Sequence, residues 1–181
     1  MVVPEAGFRA VTNYERNDSV NDALPNEIRM FYTKTFATIR GIVDAFPEDK
    51  WLQPHGCDYY LPSRIAYHLA VVIDGQVAGG SDDPDFRSKL PYGLWMEATA
   101  ETLPNKQAFI TYLNEVIERA DQVLNSLNSE NLFAPADPER PWRGSSQLSV
   151  LIYCLREIAA HTGELNKMLI ENGIDDVWVY R

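Results

Sequence analysis

Residues 146–173, SQLSVLIYCLREIAAHTGELNKMLIENG, form the longest uninterrupted helical pattern in the chain, and their reading decides its fold class. Leu148, Leu151, Leu155, Ile158, Leu165 and Leu169 recur at helical spacing and lay an apolar stripe down one face. Gly173 ends the pattern where a left-handed C-cap is expected. His161 borders the stripe, with Glu157 one turn before it and Glu164 nearly one turn after it. Two carboxylates and an imidazole therefore share one side of a half-buried helix. The plain structural alternative is an imidazole held in the core by a carboxylate.

Working outward, three more helices follow from the same periodicity. The first spans about 25–46, with Pro25 tolerated in its first turn, Ile28, Phe31, Phe36, Ile39, Ile42, Val43 and Phe46 on its apolar positions, and Pro47 as its stop. The second runs from about 63 to 76 or 79, with Ile65, Leu69 and Val72 on its inner face and His68 among them. The third, 104–127, has the cleanest stripe, from Phe109 through Leu113, Val116, Ile117, Ala120 and Leu124, and supplies packing. No strand pattern competes with them. The expected architecture is all-α, a four-helix bundle with long crossover connections, its helices spanning about 22–40 Å.

The segments between the helices carry their own expectations. Residues 1–20 show no sustained periodicity and read as an irregular arm that packs through Phe8, Val11 and Tyr14, leaving 21–181 as a single domain. The loop between Pro47 and Pro62 holds Trp51, Tyr59 and Tyr60 and reads as a cap over the core, with His55 and Cys57 on its surface. The connection 79–103 is punctuated by Gly79, Gly80, Pro84, Pro91 and Gly93, leaving room for one short helix around 94–100. Its length suggests a wall or lid over a pocket.

Charge narrows the class of partner. Sixteen basic against 26 acidic residues give a net charge of −10, which argues against nucleic acid and anionic membrane and for a small-molecule substrate. No secretory or membrane-spanning run is visible, so a cytoplasmic protein is expected. Cys57 and Cys154 form no CxxC pair, and Cys154 reads as a small buried hydrophobe.

The chemistry converges on three residues. Facing inner sides of the second and last helices bring His68 toward Glu157 and His161, a two-imidazole, one-carboxylate set that binds a divalent transition metal and leaves positions open. The i,i+4 spacing lets Glu157 and His161 reach one ion from one helix. Glu164 then serves as an acceptor behind a ligand or as the catalytic acid/base. The Glu-x-x-His pairs of di-metal bundles are missing, as are the G-x-S-x-G elbow, the phosphate-binding loop, the dinucleotide fingerprint and H-E-x-x-H.

A lone inward histidine in PSRIAYHLA (His68), a last helix reading E-x-x-x-H-x-G-E-L (Glu157, His161, Gly163, Glu164, Leu165), Trp51 ahead of the second helix and the closing Gly173-Ile174 together resemble the DinB-like superfamily of small bacterial bundle proteins. The resemblance covers about residues 25–178. It implies a metal triad that is typically three histidines, matched here at His68 and His161, with Glu157 standing at the third position. A carboxylate there makes the site harder and more negative, or marks a site that has decayed. The resemblance also implies a thiol-dependent S-transferase or a hydrolase, one divalent ion (Zn, Ni, Fe or Mn), a low-molecular-weight thiol as second reactant, and a homodimer. Two other readings stay open from the residues: a non-catalytic binding or stress-response protein with a structural ion, and a hydrogen-bond network in which both histidines share Glu157.

Overall fold

The computed structural model describes residues 23–57 and 59–178, so the arm expected over 1–20, with Phe8, Val11 and Tyr14, lies outside the described residues. Among the described residues the chain is all-α: four long helices, α1 (Ala23–Ala45), α2 (Pro62–Val72), α3 (Lys106–Asn125) and α5 (Gln147–Glu171), and one isolated turn, α4 (Ser129–Leu132). No β-strand occurs among the described residues. Each long helix falls where its apolar repeat predicts it, with Asn105 and Ser146 as side-chain N-caps of α3 and α5. Gly173, at φ +77°, closes α5 in the left-handed region. No helix among the described residues is long and apolar enough to cross a membrane.

Packing follows the stripes. α1 and α2 each pack on both α3 and α5, and Phe36, Ile39, Leu69, Leu113, Ile117 and Ile158 belong to one continuous core. Along α5, Leu151, Ile158, Leu165 and Leu169 are fully buried, whereas Leu148 and Leu155 pack half-buried at its edge. α1 and α3 also cap each other. Arg29, near the start of α1, donates to the carbonyls of Leu124 (2.8 Å) and Leu127 (2.5 Å) at the end of α3. Lys106, the first residue of α3, donates to the carbonyls of Phe46 (2.8 Å) and Asp44 (3.2 Å) at the end of α1. Each cation thus satisfies carbonyls that a helix end leaves without a partner.

The C-terminal segment docks on the body through Val177. Asn166, only 3% exposed, accepts from the Val177 amide (2.8 Å) and donates to its carbonyl (3.2 Å). Gly41 makes room for it: a Cβ there would stand 2.7 Å from a Val177 methyl.

Two features depart from the expected pattern. α2 widens into a π turn, Ile73–Val77, before it stops. Asp74 in that turn takes two bonds from the Arg119 guanidinium on α3, at 2.9 and 3.2 Å. The short helix expected around 94–100 is absent: that stretch is a series of turns, and helical turns occur earlier, at Gly80–Asp82 and Phe86–Lys89. The reason is that its carbonyls are taken from outside. Tyr67 donates to the Gly93 carbonyl (2.8 Å), Arg64 donates to that of Ala98 (2.8 Å), and Gly93 itself has φ +72°. The segment is therefore pinned to α2, beside the inward histidine. Trp51, 1% exposed, plugs the other loop into the core, donating to the Pro104 carbonyl at 3.1 Å and packing on Phe109.

Candidate metal centre

His68 lies on the face of α2 turned to α5, and Glu157 and His161 lie one turn apart on the face of α5 that answers it. One ligand atom from each of the three falls within 4.8 Å of the others. Glu157 Oε1 is 3.6 Å from His68 Nε2 and 3.5 Å from His161 Nε2. Those separations are at the long limit for hydrogen bonds. They do match the edges of a coordination polyhedron, since bonds of about 2.0–2.2 Å put neighbouring ligand atoms about 3–3.5 Å apart.

Proton placement sharpens the point. His161 Nδ1 is 2.7 Å from Glu164 Oε2. A carboxylate accepts, so in the neutral ring the proton belongs on Nδ1 and the Nε2 lone pair faces Glu157. His68 is 8% exposed, and burial, then the neighbouring His161, pull its pKa down to about 4 against the opposing pull of Glu157, so the ring is neutral near pH 7. Its Nε2 also faces Glu157, while its buried Nδ1 has no partner. Two ring nitrogens and a carboxylate oxygen thus converge, an arrangement whose mutual repulsion a cation relieves. The donor set fits a divalent transition metal. Among the described residues His161 has a carboxylate behind it, whereas His68 packs against Trp95, with ring centroids 4.0 Å apart and ring planes tilted by 41°.

The centre borders two cavities. One, of about 380 Å³, includes His68, Glu157, Trp95, Tyr153 and Arg143 in its wall. The other, of about 170 Å³, is lined by Tyr59, Tyr60, Arg64, His161 and Glu164, and shares His68 and Trp95 with the first. Leu90, Leu94, Trp95 and Met96 bring the 79–103 connection into the wall of the larger cavity.

The other chemistry-bearing residues lie apart from the triad. His55 pairs with Glu171 at the far end of α5. Cys57 is exposed and Cys154 is buried in the core. Arg64 donates to backbone carbonyls and lies over the Tyr59 ring, and Arg156 lies over Tyr153. Trp95 was missed by sequence reasoning: its stretch has no periodicity, and only an aromatic beside Gly93 in a pinned connection hints at it. Arg143 was missed as well, although Pro-Trp-Arg-Gly directly ahead of the Ser146 cap fixes a cation at the mouth of α5. The chain matches no family model, no curated protein and no solved structure.

Proposed function

We propose that this protein is a metal-dependent enzyme with one divalent ion held by His68, Glu157 and His161, built on a four-helix bundle of the DinB-like kind and acting as a thiol-dependent S-transferase or a hydrolase. The observation that carries the reading is the convergence of one ligand atom each from His68, Glu157 and His161 within 4.8 Å, with both imidazole Nε2 atoms facing Glu157 Oε1. The pairwise packing of the four long helices, each on two neighbours, supports the bundle.

Lewis acidity, which lowers the pKa of a thiol or water toward neutrality, is what such an ion supplies when bound. The protein's own groups do the rest. Glu164 fixes the tautomer of His161 through Nδ1 and so keeps Nε2 free to ligate. It also lines the smaller cavity, where its carboxylate is available to take a proton from a bound nucleophile. Trp95, packed at a tilt against His68, covers that imidazole and restricts its ring. Glu157 lowers the net charge of the site and suits an oxophilic ion such as Mn, Fe or Zn.

Elemental analysis of untagged protein, wild type beside His161→Ala, tests the reading. Near-stoichiometric Zn, Ni, Fe or Mn in the wild type and its loss in the variant is the expected result. Neither protein retaining metal after incubation with each ion would leave a metal-free pocket and sink the proposal.

A further inference from the structure

Arg143 is the anomaly of the larger cavity. It is 8% exposed, lines that cavity, and among the described residues its guanidinium has neither a hydrogen-bond acceptor nor a carboxylate at ion-pair distance. Its nitrogens open onto the cavity, where the cation is free to meet an anion. Glu157, in the same wall, belongs to the triad, and the other charges facing the space are already committed or exposed. Arg140 pairs with Asp137 (3.3 Å) and donates to the Ser81 carbonyl (3.3 Å). Asp83 pairs with Lys89 at 2.5 Å. Arg87 lies at the exposed rim. Gln76, at the same wall, has a buried side-chain oxygen with no donor, and its amide can turn to present an N–H instead.

We propose that the larger cavity binds a small organic carboxylate as the substrate of the metal centre, its anionic group paired with Arg143 and its apolar part lying against Trp95 and Tyr153. This rests on the metal-centre reading above. A planar monoanion suits a single free guanidinium, whose fork matches a carboxylate in two parallel bonds. Volume limits the size. Arg143 and Glu157 line the same cavity of about 380 Å³, which suits a short aliphatic or aryl-alkyl acid.

Binding of 3-phenylpropanoate, its neutral amide and inorganic phosphate, followed by ligand-observed NMR and tryptophan fluorescence on chelator-treated protein, tests this. The carboxylate should bind at least tenfold more tightly than the amide, and more tightly than phosphate. Arg143→Gln should abolish the preference and Arg143→Lys should keep part of it. Equal binding of acid and amide, no binding of either, tighter binding of phosphate, or an unchanged preference in Arg143→Gln would overturn the proposal. If Arg143→Gln does not fold, by circular dichroism, the acid-to-amide ratio in the wild type and in Arg143→Lys decides. His161→Ala separates the two readings: loss of metal with the carboxylate preference intact supports both. A preference retained in a wild type that never takes up metal removes the metal centre and, with it, the role as substrate site. A wild type that holds metal without the preference removes only the carboxylate.

Discussion

Cys154 shows how far burial alone can retune a side chain in this protein. Its thiol is fully buried, and burial pushes its pKa from about 9 up to about 12, with Arg143 pulling the other way. The folded value is raised, so the stabilisation is complete below pH 9, where both states hold the proton, and is lost as pH rises toward 12. At most it amounts to about 4 kcal/mol. Urea midpoints at pH 8 and 10.5 should fall more steeply for the wild type than for Cys154→Ala. In the native state at pH 8, iodoacetamide should label exposed Cys57 and spare Cys154 until unfolding; equal labelling of both would contradict the packing. The residue scale is also where sequence reasoning stopped short. His161 and Glu157 were legible because i,i+4 spacing fixes their common face, and His68 because it sits inside an apolar stripe. Trp95 and Arg143 were not, since each is aimed by contacts distant in sequence and neither lies on a repeating face.

Helix ends dominate at the scale of elements. Arg29 and Lys106 tie α1 and α3 together at opposite ends, each supplying donors to carbonyls that the helix backbone cannot satisfy. Arg29→Ala and Lys106→Ala should each lower stability by about 1–2 kcal/mol in urea melts. The sites stand at opposite ends of the pair, so the double variant should be additive within about 0.5 kcal/mol. A neutral outcome for both would mean that water replaces these caps without loss. The four long helices were legible from periodicity, because a buried stripe needs nothing but spacing. The π turn at Ile73–Val77 was not, because one added residue in a turn leaves no mark on composition; it emerges only when Asp74 finds Arg119 across the α2–α3 contact. The turns replacing a helix at 94–100 have the same origin in partners from α2.

Taken whole, the molecule is strongly acidic, with a net charge of −10, yet gathers Arg87, Arg140 and Arg143 around one cavity. The general field favours cations, while the local one favours an anion beside the triad. If the metal binds only the folded chain, loading at one hundred times its dissociation constant should stabilise by about 2.7 kcal/mol. For a chain of this size, that corresponds to about 5–10 °C in thermal midpoint. Scanning calorimetry with added Zn, Ni, Fe or Mn against chelator should show the rise, and His161→Ala should show none. The two cavities meet at the tilted rings of His68 and Trp95, which belong to both. Those rings act as a party wall, so under the proposed S-transferase reading a thiol and an acid would be resident together, one on each side. Neither would then have to vacate before the other arrived: the order of addition would be free, and the chemistry would need no interval in which a group is parked on the protein.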